Sequence, residues 1–200
     1  YNSVSFDVSG QSTSPYDIFF NLTGNKMYIL NLGDDTVYQY SLSTNFDLST
    51  ASYDSTSFSV SSQESTPMAL AFNTDGSKMF VAGFTSDTIY QYSLSTAFDV
   101  STASYNSVSF SVAAQDASPV ALTFNSNGSK MYVLGFGNDT VYQYTTGSIA
   151  TATFSYPASV KWPSGTAPDG PAIGETDVLV FFTDDNGTSY QGFQAGDSMS

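Results

Sequence analysis

Apolar side chains fall in short runs of strand length along most of this chain, and turn residues separate the runs. Residues 16–21, 26–30 and 36–42 are runs of this kind, and from residue 55 to 60 serine alternates with Thr56, Phe58 and Val60. Dipeptides such as Asp75-Gly76 predict tight turns between strands. No apolar run with helical spacing exceeds two turns. The pattern predicts an all-β chain with inner strands buried on both faces and a fourth strand buried on one face.

This pattern recurs three times with a period of 52 residues, as the spacing of Pro15, Pro67 and Pro119 shows. The other markers in register are Lys26, Lys78 and Lys130, Tyr40, Tyr92 and Tyr144, and the segments that begin at Tyr1, Tyr53 and Tyr105. Doubly buried inner strands with a singly buried outer strand predict β-propeller-like blades of four antiparallel strands, which hide their apolar faces by stacking. Three blades are predicted, with strands at 16–42 plus 53–60, 68–94 plus 105–112, and 120–145 plus about 149–156.

Two domains are predicted. Residues 1–156 form the blades, and residues 3–8 are a leading outer strand that completes a blade encoded upstream or pairs with another chain. Residues 157–200 form a Pro/Gly-rich arm and a C-terminal β-hairpin, with strands at 178–183 and 188–194. Three blades are fewer than the typical four to eight of a closed ring. Further upstream blades, association of chains and an open stack all stay open, and the start inside a repeat favours a piece of a longer polypeptide.

Charge and composition reduce the number of function classes that the sequence predicts. The chain has 18 acidic residues, four lysines, no arginine, and a net charge of −14. Nucleic-acid binding needs clustered basic residues, so no such partner is predicted. Membrane insertion is not predicted either, because no run of about 18 apolar residues exists. The absence of His and Cys removes the commonest general base and the thiolate zinc sites, and we predict a non-enzymatic protein without a cofactor.

Repeated polar residues are the candidate ligand-binding sites. Asp35, Asp87 and Asp139 precede the third strands and could ring a mouth that binds Ca²⁺ or sugar hydroxyls, although Asx turns are the favoured interpretation. Asp34 is not repeated, since Ser86 and Asn138 occupy its position, and it is therefore the better binding candidate. Gln11, Gln63 and Gln115 either bind sugars or, as we favour, tie loops to the backbone.

The opposite loops carry weaker candidates. Lys26–Asp47 and Lys78–Asp99 contacts are predicted there. Phe46, Phe98 and Trp162 could be stacking platforms for sugars, but Phe46 and Phe98 more simply anchor a long loop.

The segment from Asn73 to Val81, followed by Asp87 to Thr96, resembles propeller-like repeats of virion structural and tail-fibre proteins of marine tailed phages, cyanophages among them. The tail from Trp162 to Asp197 is similar to a C-terminal segment of the same proteins. The resemblance implies a virion appendage or fibre protein that contacts the host surface, located in the virion or outside the cell. Its partners would be other virion proteins, copies of itself, or a host glycan or protein. The alternative is a secreted or surface adhesin of a marine bacterium.

Overall fold

The computed structural model describes residues 2–146 and three later strands, Val160–Lys161, Thr176–Phe182 and Tyr190–Met199. The chain forms two compact units, Tyr1–Thr146 and Gly147–Ser200. The predicted boundary between residues 156 and 157 lies outside the described residues, and so does the predicted fourth strand of the third blade at 149–156.

The first unit consists of three antiparallel sheets in chain order, which we call blades 1, 2 and 3. Blade 1 contains β1 (Pro15–Phe20), β2 (Lys26–Asn31), β3 (Thr36–Leu42) and β4 (Ala51–Ser59), paired in that order. Blade 2 contains β5 (Pro67–Phe72), β6 (Lys78–Gly83), β7 (Thr88–Leu94) and β8 (Ala103–Ser111). Blade 3 contains β9 (Pro119–Phe124), β10 (Lys130–Gly135) and β11 (Thr140–Thr145). The predicted all-β fold of propeller-like blades is confirmed.

The blades stack face to face, and the core lies between them. We call the face of a blade that points toward the next blade in sequence its forward face, and the opposite face its rear face. Tyr28 and Leu30 on the forward face of blade 1 pack with Leu70 and Met79 on the rear face of blade 2. A second cluster joins blades 2 and 3; it contains Ala69, Ala82, Ile89, Leu122, Met131 and Val133. Mutual burial therefore explains why the inner strands are apolar on both faces.

Hydrogen bonds also join blades 1 and 2. The Tyr28 hydroxyl donates to the Phe98 carbonyl oxygen over 2.6 Å, and the Val100 amide donates to Gln39 Oε1 over 2.9 Å. Between the first strands of the two blades, the Leu70 amide donates to the Asp17 carboxylate over 2.7 Å. Burial of Asp17 raises its pKa, and the amide bonds oppose that rise only in part.

The outer strand of each complete blade contains a bulge. In blade 1 the register shifts between Gln39 and Tyr40, and Ser55 adopts a left-handed backbone with φ 57°. Ser107 of blade 2 repeats the conformation with φ 61°. Residues 3–8, predicted as a leading outer strand, form no ladder in this structure. They lie instead on the rear face of blade 1, where Phe6 and Val8 pack against the apolar cluster that contains Tyr40.

The second unit contains β12 (Val160–Lys161), β13 (Thr176–Phe182) and β14 (Tyr190–Met199). β13 and β14 pair antiparallel at the place of the predicted hairpin, and β12 pairs parallel to β14. Within the residues that the structure describes, no helix has the length and apolar character needed to cross a membrane.

Candidate functional site

Antiparallel pairing puts two sets of loops at opposite ends of the blades. The loops between β2 and β3, β6 and β7, and β10 and β11 lie at one end with the segments that connect successive blades. We call this the acid-bearing end, because most of the predicted site residues are there. The turns after β1, β5 and β9 form the opposite end. The Phe46 amide donates to the Gly24 carbonyl oxygen over 2.9 Å there, so the long loop after β3 lies on the turn after β1.

The repeated aspartates shape their loops through the backbone. Asp35, Asp87 and Asp139 adopt left-handed conformations with φ of 53°, 50° and 54°. This is a region that Asp enters more readily than most residues. The Asp35 carbonyl oxygen accepts from the Val60 amide over 2.8 Å, which starts the pairing of β3 with β4. No described residue donates a hydrogen bond to the three carboxylates, so the favoured Asx-turn interpretation is wrong.

Asp34 lies beside this turn and is held by two side chains. The Asn31 amide and the Tyr38 hydroxyl both donate to its carboxylate, one to each oxygen. The acceptor bond raises the pKa of Tyr38 to about 12 because it favours the protonated phenol. Asn31 in turn accepts from the Ser12 hydroxyl over 2.7 Å. The result is an exposed carboxylate in a fixed position.

At the equivalent positions of blades 2 and 3, a buried acidic side chain accepts the hydrogen bonds of the loop. Sequence reasoning missed both of these acids. Glu64 is 2% exposed and accepts from the Thr66 amide over 2.8 Å and from Ser86. Asp116 is 4% exposed and accepts from the Ser118 amide over 2.7 Å and the Asn138 amide over 3.1 Å. Both correspond to Ser12 of blade 1, 52 and 104 residues earlier. Their carboxylates satisfy loop amides that would otherwise be buried without partners.

A glycine accompanies each buried acid. Gly83 and Gly135 stand where blade 1 has Asn31. A Cβ atom on Gly83 would lie 2.6 Å from Glu64 Cδ, and one on Gly135 would overlap Asp116 in the same way. Two positions change together between the blades: blade 1 has Ser and Asn there, and blades 2 and 3 have an acid and Gly. This joint change is the sequence signal that could have identified the buried acids.

The repeated glutamines connect to the following blade. Gln11, Gln63 and Gln115 accept from the hydroxyls of Tyr40, Tyr92 and Tyr144 over 3.4, 3.3 and 3.3 Å. Each bond ties a between-blade segment to a third strand. The glutamines therefore tie loops to a tyrosine side chain and not to the backbone as predicted, and sugar binding by their amides stays a prediction.

Carboxylates concentrate where blades 1 and 2 meet. Burial, followed by the charges of Asp34 and Glu64, raises the pKa of Asp35. Within residues 2–146 and the three later strands, no group of three or more acidic side chains is arranged to hold a metal ion. The calcium considered for the aspartate ring therefore has no preformed cluster among these residues.

The predicted ion pairs at the opposite end are wrong. Lys26 donates to Asp54 over 2.6 Å, not to Asp47, because the bulge at Ser55 shifts the register of β4 beside β3. Asp47 instead accepts from the Ser49 amide over 3.0 Å and caps a 3₁₀ turn, and Asp99 does the same in blade 2. Burial alone would raise the pKa of Asp54, but hydrogen bonds from Lys26 and two neighbours hold it below its ordinary value.

The two candidate aromatic platforms of the described residues both lie over a glycine turn, but they differ in exposure. The ring of Phe98 lies over Gly76 and contacts Phe72 with ring centroids 5.8 Å apart. Phe46 lies over Gly24 and remains more exposed. Trp162 lies outside the described residues.

Comparison with known proteins shows the fold and no family. No protein-family model matches the chain, and none of the curated proteins matches it. A functionally unknown protein from Desulfotomaculum acetoxidans matches with TM-score 0.52 and 17% identity, over 68% of this chain and 39% of its own. A putative 6-phosphogluconolactonase from Bacteroides fragilis matches with TM-score 0.51 and 12% identity, over 66% and 34%. A luciferin-regenerating enzyme matches with TM-score 0.48 and 16% identity, over 67% and 45%. The chain thus spans less than half the length of these structures.

The prediction that this chain is not an enzyme is wrong. The blade fold is shared with the Bacteroides fragilis protein, whose name is that of an enzyme. Our deduction rested on the absence of His and Cys and on acids that are repeated rather than paired, but single carboxylates and tyrosines also transfer protons. Asp35, with its raised pKa, is a residue of that kind. At 12% identity the likeness concerns the fold and transfers no reaction to this chain.

Proposed function

We propose that this chain is a component of a virion appendage of a marine phage and that its acid-bearing end contacts a glycan of the host surface. The resemblance of the repeat and the tail to phage fibre proteins supports the assignment to a particle. The glycan contact rests on one observation, the exposed Asp34 carboxylate that Asn31 and Tyr38 hold in place.

A fixed carboxylate suits sugar hydroxyls. It offers several acceptor sites, and two neighbouring hydroxyls can donate to it at once. Because its two partners already orient it, little conformational entropy is lost when a ligand binds. The net charge of −14 repels anionic polysaccharides, so the ligand is a neutral or cationic glycan.

Glycan binding is tested with Asp34→Asn against a matched control, Asp75→Asn. Asp75 is an exposed aspartate in the turn after β5, at the opposite end, where it accepts from the Ser77 amide. Binding of the labelled chain to host cells and to immobilised neutral glycans should fall at least tenfold for Asp34→Asn and stay unchanged for Asp75→Asn. Equal binding by both variants and the unchanged chain would refute the assignment to Asp34.

The assignment to a particle has its own test. Antibodies against the chain should label purified phage particles in electron micrographs and should detect the chain in particle preparations. Recovery with bacterial envelopes, together with absence from particles, would reject the virion assignment in favour of the adhesin.

A second candidate function is hydrolysis of a small ester or lactone, favoured by Asp35 and by the fold shared with the Bacteroides fragilis protein. An Asp carboxylate can accept a proton as a general base, and burial and neighbouring acids raise the pKa of Asp35. Acid release from a panel of neutral lactones, followed in a pH-stat, tests the candidate. Turnover that is lost in Asp35→Asn would support it, and turnover that survives the substitution would exclude Asp35.

A further inference from the structure

The forward face of blade 3 exposes positions that are covered in the other blades. Val141 is 64% exposed, whereas Val37 and Ile89, at the same position in blades 1 and 2, are buried. Leu134 is exposed in the same way, and its counterparts Leu30 and Ala82 are buried. The difference arises because blades 1 and 2 each have a following blade against this face.

The rear face of blade 1 is the complementary case. Ile18 is 52% exposed, whereas its counterparts Leu70 and Leu122 are buried against the preceding blade. Tyr16 is exposed as well, and its counterpart Met68 is buried. Both interfaces inside the unit join the forward face of one blade to the rear face of the next. The forward face of blade 3 and the rear face of blade 1 could therefore form one more interface of this kind.

The segment 3–8 shares two local features with the outer strands of blades 1 and 2. Ser3 adopts φ 65°, the left-handed conformation that marks the bulge of both outer strands. The ring of Phe6 contacts that of Tyr40 with centroids 5.6 Å apart. The same contact joins each outer strand to the next blade, from Phe58 to Tyr92 at 5.3 Å and from Phe110 to Tyr144 at 5.1 Å. The segment thus holds the place of an outer strand of a preceding blade.

Blade 3 presents the edge that such a strand would pair with. In blades 1 and 2 the third strand pairs with an outer strand, and the amides of Val60 and Val112 donate to the carbonyl oxygens of Asp35 and Asp87 over 2.8 Å. Among the described residues, β11 is the last strand of its sheet. Its outer edge carries backbone groups that favour a further strand.

We propose that two copies of this chain associate head to tail, with residues 3–8 of each copy as the fourth strand of blade 3 in the other, in place of the strand that the sequence predicts at 149–156. The repeat fixes the register, in which Phe6 lies opposite Val141 and the Val8 amide donates to the Asp139 carbonyl oxygen. Both interfaces of the dimer are equivalent, so the pair closes on itself. The six blades fall within the range of closed propellers, roughly four to eight. The proposal does not depend on the glycan contact.

The mass of the chain in solution is the first test. Light scattering after size exclusion, in about 150 mM salt to screen the acidic charge, should give twice the 21.3 kDa of one chain. Val141→Asp places a charge in the apolar contact and should weaken the dimer by roughly 100-fold in Kd. The matched control, Ser95→Asp, adds the same charge in an exposed loop and should leave the mass unchanged. A monomeric unchanged chain, or a dimer that survives Val141→Asp, would overturn the proposal.

A cross-link tests the register independently. Thr36 lies opposite Ser59 in blade 1, and Thr88 lies opposite Ser111 in blade 2, so Thr140 should lie opposite Asp7 of the other copy. The chain has no cysteine, so Asp7→Cys with Thr140→Cys supplies the only thiols. Oxidation should join two chains in the double variant, and each single variant should remain uncross-linked. Failure of the double variant to cross-link, or equal cross-linking by a single variant, would contradict the strand exchange.

Discussion

The between-blade loop is held by one pair of residues in blade 1 and by a different pair in blade 2. Replacing the pair of blade 2 by that of blade 1 is the most informative perturbation of this fold. Blade 1 satisfies the Ser14 amide with Asn31 Oδ1 over 3.0 Å, and Ser12 donates to the same oxygen. Blade 2 satisfies the equivalent Thr66 amide with the Glu64 carboxylate over 2.8 Å. Each solution needs both of its residues, so the substitutions Glu64→Ser and Gly83→Asn should be costly alone and tolerated together.

The magnitude follows from the lost contacts. Glu64→Ser leaves the Thr66 and Ser86 amides without their acceptor, which costs about 2–4 kcal/mol. Gly83→Asn puts a Cβ atom 2.6 Å from Glu64 Cδ and forces the carboxylate out of its place. The lost hydrogen bonds and the overpacking together cost at least about 3 kcal/mol. In the double variant the introduced asparagine accepts from the Thr66 amide as Asn31 does from Ser14, so the loss should be within about 1 kcal/mol.

Urea unfolding followed by near-ultraviolet circular dichroism of the tyrosines measures all four proteins. Glu64→Asp with unchanged Gly83 is the control, because Asp116 beside Gly135 shows that an aspartate works in this place; we expect a loss below about 1.5 kcal/mol. Each single substitution should lower the midpoint clearly, and the double variant should recover most of it. Additive losses in the double variant would refute the coupling.

Other predictions concern the opposite end and the interface of blades 1 and 2. Gly76→Ala should cost about 2 kcal/mol more than Gly128→Ala in urea unfolding, because both glycines have positive φ but only at Gly76 would the Cβ meet a ring, 2.5 Å from Phe98 Cγ. Equal losses would show that Phe98 does not hold the loop. Burial raises the pKa of Tyr28 above its ordinary 10.0, so folding stability should fall as pH rises beyond 10.0 and fall less steeply in Tyr28→Phe, which itself costs about 1 kcal/mol. The same slope in both proteins would contradict this. Asp54→Asn should cost about 1 kcal/mol at neutral pH, a loss that disappears as pH falls below the ordinary 3.8, because hydrogen bonds hold the pKa of Asp54 below that value. A loss that does not diminish as pH falls below 3.8 would exclude the ionised pair as its cause.

Sequence reasoning predicts the blades well because their cause is local and repeated. Prolines at a constant spacing introduce the inner strands, and glycine turns with positive φ close them, as at Gly24. Apolar residues on both sides of β2 and β6 required a neighbour on each side, and the structure confirms the stacking. These features depend on the backbone and on burial, which residue type reports directly.

The failures arise where a few backbone angles decide which side chains meet. Serine rarely signals a left-handed residue, so the bulge at Ser55 could not be predicted, and Lys26 was paired with Asp47 instead of Asp54. Residues 3–8 were predicted as a strand, but a strand exists only beside an edge, and no described residue pairs with this segment. Glu64 was missed because attention went to identical residues in every repeat, while it differs from Ser12 and compensates through Gly83.

Mutual covering of the blades is the central claim, and a single blade tests it most directly. Residues 67–111 contain β5 to β8, whose Leu70, Met79, Val81 and Ile89 pack against blades 1 and 3. The ¹H–¹⁵N spectrum of this fragment alone should show the narrow amide dispersion of an unfolded chain, while the whole chain should show the wide dispersion of β structure. A well-dispersed spectrum of the isolated blade would contradict the account.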